Sequence, residues 1–457
     1  MKNEHIWRAY DIRGNAATET TISFAHTLGW SLAEQFRRRG IEDVVIARDA
    51  RQSSPELRDA LVQGLVEGGM EVSDIGSAPT PALYFAVDAL GYDAGIMITA
   101  SHNPSVDNGF KFRFHNQPFL GTDLQELKDI FATVSKPNLE PGDHYTLNLQ
   151  DLYLNAIVDD MRSITKPLRI VVDGGNGVAG PWLIDLLERF GCTCIPLYCE
   201  PDGNFPNHSP DPTKKKNMLD LIQAVRKEGA DCGFGLDGDG DRLAVVSPKG
   251  ELVYGDRLLA LFAQDILKWK RGSIVHDLKC SMILKEVIIQ NGGTSIPSAT
   301  GYPRVQQAIL KNASLMGGEQ SSHICFADRW FGFDDALYAA ARILPTIPNL
   351  DVRLSSLPHY PCTPELRIPV REEQKWDVIP LLKPTLKDYT LNETDGIHCS
   401  TNDGWALLRP SNTEACISVR IEAKSSKKLQ KMAQELRQKL HELGVDTNLL
   451  NPYCSPL

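Results

Sequence analysis

Short apolar runs alternate along the chain with longer segments in which apolar residues recur at helical spacing. The first run, residues 43–47 (DVVIA), predicts a β-strand, and residues 57–70 follow with the spacing of a helix. Residues 53–56 (SSPE) predict the start of that helix, with serine as N-cap and proline in the first turn. Residues 95–99 (GIMIT) then predict a further buried strand.

The same order of elements recurs twice further along the chain. Residues 168–173 predict a strand, a glycine-rich turn follows, and residues 181–190 predict a helix. Residues 273–277 and 282–290 repeat the pair of strand and helix. Three such rounds favour three α/β domains of related build, each with a mixed or mostly parallel sheet.

The C-terminal part of the chain has a different pattern. Pro358, Pro361 and Pro364 predict a hinge or linker. Short strands are predicted beyond it, at residues 405–408 and 415–422, and a charged helix follows at 426–443. This pattern predicts a smaller α+β domain at the C-terminus.

Length and composition are those of a globular protein with several domains. The chain has 457 residues, of which 42% are hydrophobic and 23% charged, and at about 100–200 residues per domain this length allows two to four domains. The formal net charge of −10 makes the chain a poor non-specific binder of nucleic acid or of an anionic membrane. An anionic ligand therefore needs a pocket that is locally basic or filled by a metal ion.

Cysteine usage and hydropathy predict a reduced, cytoplasmic protein without a membrane span. The ten cysteines are scattered and match no zinc spacing. The first fourteen residues have no apolar core of signal-peptide length, and no run of about 18 apolar residues occurs.

Ser101 lies in the first of four candidate functional motifs, the hexamer TASHNP at residues 99–104, directly after an apolar strand. The Asn-Pro pair enforces a non-helical bend, and ligands of open α/β sheets gather at the ends of such strands. The alternative is a simple polar turn that closes a loop.

The second motif is the run DGDGDR at residues 237–242. Three carboxylates, on Asp237, Asp239 and Asp241, would repel one another unless a cation lies among them, and oxygen ligands favour Mg²⁺ or Ca²⁺. A solvated acidic turn is the alternative. An EF-hand does not fit, because Arg242 stands where its glycine is needed and Pro248 where its glutamate is needed.

Two further polar loops complete the set. Residues 317–323 (GGEQSSH) offer a carboxylate, hydroxyls and an imidazole that suit a sugar, although a helix N-cap is the alternative. Residues 409–414 (RPSNTE) offer an anion nest and a guanidinium for phosphate, with a hairpin turn and an exposed arginine as the alternative. Together the four motifs point to phosphoryl transfer on a phosphorylated sugar.

At this point the sequence resembles the α-D-phosphohexomutase family, close to its bacterial phosphomannomutase/phosphoglucomutase group. The resemblance covers essentially the whole chain and includes further motifs at residues 8–14, 108–111, 202–208, 277–281 and 329–335. It implies four domains around one central cleft, which we place at residues 1–148, 149–250, 251–362 and 363–457. It also implies interconversion of hexose 1-phosphate and hexose 6-phosphate through a phosphoserine and a 1,6-bisphosphate.

The resemblance implies a role for each matching residue. Ser101 would be the phosphoserine and, with Asp237, Asp239 and Asp241, would hold one Mg²⁺. Lys111 would be the general acid/base, with His102 and Arg242 beside it; as a base it needs a lowered pKa, which a neighbouring arginine and a desolvated cleft can produce. The remaining implied binding residues are Glu319, Ser321 and His323 for sugar hydroxyls, Arg409, Ser411, Asn412 and Thr413 for the non-reacting phosphate, and Tyr10 and Arg13 for support of the phosphoserine loop.

Departures from the family pattern leave the hexose open. Ala299 and Tyr302 stand where relatives carry lysine and histidine, Ser322 stands where glycine is usual, and His398 stands where many relatives have arginine. The sequence therefore favours mannose or glucose phosphate as substrate of a monomer or weak dimer, with a phosphoglucosamine-type mutase as the alternative. Two other classes stay open: a phosphatase that uses Asp237 as nucleophile and Asp239 as acid, and a catalytically weakened sugar-phosphate binding protein.

Overall fold

Four β-sheets follow one another along the chain in the computed structural model, which describes residues 4–161, 167–411 and 415–454. The first sheet has the order β1-β5-β4-β2-β3-β7, with β6 paired to β5. Its strands are Ile12–Asn15 (β1), Asp43–Arg48 (β2), Glu71–Ser77 (β3), Ala94–Ile98 (β4), Asp107–Phe114 (β5), Gln117–Pro118 (β6) and His144–Thr146 (β7). The helices of this unit are Ile22–Arg37 (α1), Ser54–Glu67 (α2), Thr80–Leu90 (α3) and Gly121–Phe131 (α4).

Both faces of this first sheet are buried. Along β2, Val44 and Ile46 lie in the core with α1 and α2, whereas Val45 and Ala47 lie in the core with α3. Successive side chains of a strand point to opposite faces. The nearly continuous apolar run of β2 is therefore what a strand covered by helices on both sides requires.

The second and third units repeat this build. The second contains Gln150–Asp160 (α5), Arg169–Asp173 (β8), Gly180–Arg189 (α6), Thr193–Leu197 (β9), Leu219–Glu228 (α7), Cys232–Leu236 (β10), Leu243–Val246 (β11) and Leu252–Val253 (β12). The third contains Gly255–Leu267 (α8), Ser273–Asp277 (β13), Met282–Gln290 (α9), Thr294–Ser298 (β14), Tyr302–Asn312 (α10), Met316–Gly318 (β15), Ile324–Phe326 (β16), Ala336–Ile343 (α11) and Leu350–Ser356 (α12). Their sheet orders are β12-β11-β10-β8-β9 and β14-β13-β15-β16.

The fourth unit is smaller and its sheet, of order β17-β21-β20-β19-β18, is antiparallel throughout. Leu436 and Leu440 of its C-terminal helix pack with Ile417 and Val419 of the sheet. Its elements are Leu366–Pro369 (β17), Val378–Leu382 (α13), Thr390–Asn392 (β18), Ile397–Ser400 (β19), Gly404–Pro410 (β20), Cys416–Ala423 (β21) and Ser426–Glu442 (α14). Short 3₁₀ helices lie at Glu4–Ile6, Lys215–Met218, Leu344–Asn349, Glu372–Gln374, Lys383–Thr385 and Asn448–Tyr453.

One topology is shared by the first three units. In each, two parallel strands are followed by a third strand parallel to the first of them, and then by an antiparallel partner of the third. The four strands are β2-β3-β4-β5, β8-β9-β10-β11 and β13-β14-β15-β16. The predicted fold class, three related α/β domains of mixed sheets plus a smaller α+β domain, is therefore confirmed; the exact domain boundaries stay predictions.

The predicted serine cap of α2 is wrong in one respect. Ser53 precedes the helix, but its side chain makes no capping hydrogen bond. Its Oγ accepts instead from Asn108 Nδ2 at 2.9 Å, in the strand that follows the Ser101 loop. Among the described residues, no α-helix has the length and apolar character that a membrane span requires.

Candidate active site

The four predicted motifs occupy equivalent connections in the fold. In the first three units they link the third strand of the shared topology to its antiparallel partner, and in the fourth they link β20 to β21. The Ser101 loop is residues 99–106, the aspartate loop 237–242, the Glu319 loop 319–323 and the Arg409 loop 409–415. The helix N-cap alternative for the Glu319 loop is wrong, because that loop closes a hairpin between β15 and β16.

Ser101 lies at the centre of its loop in a left-handed backbone conformation, with φ 52°. This conformation is unfavourable for a residue other than glycine, so specific contacts must hold it. The Ser101 amide donates to Thr99 Oγ1 at 2.8 Å, and Arg13 Nη1 donates to the Ala100 carbonyl at 3.2 Å. Ser101 Oγ donates to Asp237 Oδ2 at 2.8 Å and lies 3.1 Å from His102 Nδ1.

The three carboxylates of the aspartate loop are buried, so the alternative of a solvated acidic turn is wrong. Burial, with the repulsion of Asp241 and Asp239, raises the pKa of Asp237 well above its usual range. Asp239 Oδ1 and Asp241 Oδ1 are buried and accept no hydrogen bond, and one oxygen from each of the three residues lies within 4.8 Å of the others. Clustered, buried and partly unsatisfied oxygen ligands fit a divalent hard cation.

Lys111, on β5, donates its ammonium group to Asp239 Oδ2 at 2.6 Å and to Asp241 Oδ2 at 2.5 Å. Burial would lower the pKa of Lys111, but the two carboxylates outweigh burial and hold that pKa well above its usual range. The predicted fall in the lysine pKa is therefore wrong for this arrangement. A protonated Lys111 is a proton donor, positioned 5.5 Å from the centre of the Tyr302 ring.

Arg242 connects the aspartate loop to the Glu319 loop. Its Nε donates to His323 Nε2 at 2.9 Å and lies 4.0 Å from Asp237 Oδ2. The positive charge of Arg242, followed by burial and by Arg13, lowers the pKa of His102 well below its usual range. The imidazole beside Ser101 Oγ is therefore neutral near pH 7, so it can exchange a hydrogen bond with Ser101 without adding charge.

The predicted sugar-binding residues lie around the same place. Glu319 is buried and its Oε1 accepts from the Gly301 amide at 2.6 Å. His323 Nδ1 lies 2.7 Å from Asp334 Oδ2, and Ser321 is half-buried. Ser322 has φ 71°, a left-handed conformation that favours glycine, so the serine at this position carries backbone strain.

The Arg409 loop reaches the other loops through Asp395. Arg409 Nη1 donates to Asp395 Oδ2 at 3.1 Å, and the Thr300 amide donates to the same oxygen at 3.2 Å. The fourth unit is thereby linked to the segment whose Gly301 amide bonds to Glu319. The Ser411 amide donates to the Cys416 carbonyl at 3.0 Å, whereas the predicted residues Asn412 and Thr413 lie outside the described part of the chain.

Tyr10, Arg13 and Tyr302 form an aromatic and basic wall beside these loops. The Tyr10 ring meets the Tyr302 ring edge-on at 5.2 Å, and Arg13 Nη2 lies 2.7 Å from Asp11 Oδ2. Gly301 has φ 123°, and a Cβ there would lie 2.8 Å from the Tyr10 ring, so this turn requires glycine. Tyr302, a departure from the family pattern, thus packs between Tyr10 and Lys111.

Other residues of the site were not predicted. Thr80 Oγ1, at the start of α3, donates to Asp239 Oδ2 at 2.6 Å across 159 residues of sequence. Asp334 contacts His323, and Asp11 pairs with Arg13. For Thr80 the local sequence holds no signal, since the contact depends on how the first and second units pack together.

His398 gives the site region a pH dependence that can be measured. Burial, followed by the proximity of His276, lowers the pKa of His398 to about 4, from about 6.5 in an unfolded chain. Because the folded-state pKa is depressed, the stabilisation is present above pH 6.5 and is lost as the pH falls through about 4. We expect His398→Gln to reduce the loss of unfolding free energy between pH 7 and pH 4 by up to about 2 kcal/mol.

Urea denaturation at several pH values measures this effect. The same substitution at exposed His441 is the control and is expected to leave the pH dependence unchanged. Identical pH profiles for His398→Gln and the unmodified chain would show that His398 is not protonated preferentially in the unfolded state.

Models of one protein family match the chain in order from near the first to near the last described residue. They are phosphoglucomutase/phosphomannomutase alpha/beta/alpha domain I at residues 4–138, domain II at 151–250, domain III at 254–360 and the C-terminal domain at 365–439. Each of the first three contains one of the loops described above, and the C-terminal domain contains the Arg409 loop.

Curated relatives and solved structures agree with these matches. The chain is 40% identical over 457 residues to a phosphomannomutase/phosphoglucomutase of Pseudomonas putida, with 98% of each chain covered. It is 36% identical over 445 residues to a phosphoglucomutase of Neisseria gonorrhoeae, with 94% of this chain and 96% of the relative covered. The crystal structure of a phosphoglucomutase/phosphomannomutase family protein from Burkholderia thailandensis superposes with a TM-score of 0.91 at 35% identity, covering 98% and 99% of the two chains.

Proposed function

The chain belongs to the phosphoglucomutase/phosphomannomutase family of α-D-phosphohexomutases, and we propose that it interconverts hexose 1-phosphate and hexose 6-phosphate of mannose, glucose or both. It is an isomerase that moves a phosphoryl group within its substrate. The observation that carries the proposal is the placement of Ser101 Oγ, 2.8 Å from Asp237 in a buried three-carboxylate cluster that also binds Lys111.

Ser101 is the proposed phosphoryl carrier. As a phosphate ester it transfers its phosphoryl group to a hydroxyl of the hexose phosphate, so that the bond from phosphorus to Ser101 Oγ breaks while a bond to the sugar oxygen forms. The product of this half-reaction is a hexose 1,6-bisphosphate, and the second half-reaction returns its other phosphoryl group to Ser101. The bisphosphate is therefore both the intermediate and the activator of an unphosphorylated enzyme.

Asp237, Asp239 and Asp241, together with the ester oxygen of Ser101, are the proposed ligands of one Mg²⁺. When bound, the metal ion neutralises charge on the transferring phosphoryl oxygens. Lys111 supplies a proton to the oxygen released in each transfer and recovers it in the reverse direction. His102 and Arg242 flank Ser101, the first as a neutral hydrogen-bond partner and the second as a fixed positive charge.

Substrate binding is assigned to the other loops. Glu319, Ser321 and His323 bind sugar hydroxyls, and Tyr10 and Arg13 support the Ser101 loop. The phosphate that does not react is held by the Arg409 loop through Arg409, Ser411, Asn412 and Thr413. Because the two phosphates exchange places between half-reactions, the bisphosphate must turn over while the fourth unit keeps it in the cleft.

The setting of the enzyme is proposed from its composition. All ten cysteines are free, which fits a reducing cytoplasm. The net charge of −10 disfavours nucleic-acid and membrane partners, and the small-molecule phosphosugar is the proposed partner of a monomer or weak dimer.

A ³¹P assay across the 1-phosphates of mannose, glucose, glucosamine and N-acetylglucosamine tests the proposal, with 1,6-bisphosphate and Mg²⁺ present. We expect conversion of mannose or glucose 1-phosphate to the 6-phosphate without net release of inorganic phosphate. Preferential turnover of the amino sugars would assign a phosphoglucosamine-type mutase, and net phosphate release would assign a phosphatase. Tight binding of hexose phosphate without turnover would assign a binding protein.

A further inference from the structure

We propose that Asp49, Arg51 and Thr99 form a cradle that positions Ser101 for phosphoryl transfer, with Arg51 as its central residue. The inference rests on the proposed role of Ser101 as phosphoryl carrier. None of the three side chains contacts Ser101 Oγ in the structure, so they are positioning residues and not catalytic residues.

All five N–H groups of the Arg51 guanidinium are used, and its side chain has no exposed surface. One of them, on Nε, donates to Asp49 Oδ2 at 3.0 Å. The other four donate to backbone carbonyls of the Ser101 loop and of the first residue of β5. These bonds run from Nη2 to Ser101 O at 2.8 Å and to Asn103 O at 2.8 Å, and from Nη1 to Pro104 O at 2.5 Å and to Asp107 O at 2.8 Å.

This pattern fixes the shape of the loop. Between β4 and β5 the chain has few regular ladder partners, and a buried carbonyl without a donor is unfavourable. One planar, rigid group satisfies carbonyls at both ends of the loop, at Ser101 and at Asp107. A lysine has three donors on a single nitrogen and cannot span the same four acceptors.

The cradle also holds the amide side of Ser101. Asp49 Oδ2 accepts from Thr99 Oγ1 at 2.7 Å, and Thr99 Oγ1 in turn accepts from the Ser101 amide at 2.8 Å. Both backbone groups of Ser101, its amide and its carbonyl, are therefore tied to the same arginine–aspartate pair. Fixing both groups holds the left-handed φ of 52° and aims Oγ at Asp237.

The cradle contacts the unit that carries the aspartate loop as well. The Arg51 guanidinium lies 5.1 Å from the centre of the Phe205 ring. A Cβ at Gly203 would lie 2.4 Å from the Ala50 carbonyl, so this turn of the second unit packs directly on the segment that holds Arg51. Arg51 thus sets the Ser101 loop against the unit that holds Asp237.

Arg51→Lys and Thr99→Val test the cradle in the full chain. We expect kcat to fall by about 10²-fold, because a displacement of the reacting oxygen by about 1 Å has that effect. The KM for hexose 1-phosphate should change by less than about threefold, since the Glu319 and Arg409 loops are untouched. The single-turnover rate at which Ser101 takes phosphate from glucose 1,6-bisphosphate, followed by intact mass, should fall together with kcat.

Arg58→Lys is the matched control. Arg58 lies on α2 in the same unit and pairs with Asp74 and Asp59, away from the Ser101 loop. It should keep the kcat of the unmodified enzyme. Thr99→Ser, which keeps the hydroxyl group, should restore kcat relative to Thr99→Val.

The outcomes separate this inference from the proposed function. If the unmodified chain neither turns over hexose phosphates nor gains a phosphate, the proposed function fails. If the unmodified chain is active and Thr99→Val keeps its kcat, the cradle inference fails and the proposed function stands. If Arg51→Lys does not fold, Thr99→Val against Thr99→Ser decides alone, and equal changes in kcat and KM in Thr99→Val would indicate a general structural role and overturn the inference.

Discussion

Replacing Ser101 by alanine is expected to lower mutase turnover by about 10⁴-fold or more, because the change removes the oxygen that carries the phosphoryl group. The expected effect on folding is small. Only one side-chain donor to Asp237 is lost, and the net contribution of such a bond to stability is about 1 kcal/mol. A coupled assay measures turnover, and intact mass after incubation with hexose 1,6-bisphosphate measures whether the variant gains one phosphate, which it should not.

Ser105→Ala is the control for this prediction. Ser105 lies in the same loop and is half-buried, but Ser101 is the residue whose hydroxyl bonds to the aspartate loop. The control should gain one phosphate and keep its turnover. Full activity in Ser101→Ala would contradict a phosphoserine mechanism and favour the alternative in which Asp237 is the nucleophile.

The elements of the fold could be predicted because each leaves a local pattern. The helix predicted at 282–290 is Met282–Gln290, and the strand predicted at 273–277 is Ser273–Asp277. What the pattern could not give is the antiparallel fourth strand of each α/β unit. An apolar strand has the same side-chain alternation in either direction, and its partner is chosen by packing across the sheet.

The candidate site divides in the same way between local and distant contacts. The aspartate loop could be predicted because its three carboxylates lie within five residues and their charges need a cation. The pKa of Lys111 could not be predicted, because its direction depends on two carboxylates that lie 128 and 130 residues away. Arg51 was not predicted either, since its partners are backbone carbonyls, which any sequence supplies.

Lys111→Met is expected to have the second large effect, on stability as well as on activity. The change leaves Asp239 and Asp241 buried without their ammonium partner, and breaking a buried ion pair from one side costs about 3–5 kcal/mol. Without added metal, the unfolding free energy measured by denaturant titration should therefore fall by about that amount. In the assay, kcat should fall by about 10²- to 10⁴-fold, because the proton donor is lost.

Added Mg²⁺ separates the two effects of this substitution. A cation that binds the three carboxylates only in the folded state stabilises the fold by mass action and replaces the lost positive charge, so most of the stability should return. The kcat should not return, since a metal ion cannot replace the ammonium group as proton donor. Lys128→Met, a change at a lysine that lies 3.7 Å from Glu4 near the surface, should alter stability by less than about 0.5 kcal/mol with or without metal. Restoration of both stability and kcat by Mg²⁺ would mean that Lys111 acts only as a counter-charge to the aspartates, and the proton transfer would then belong to another group beside Ser101.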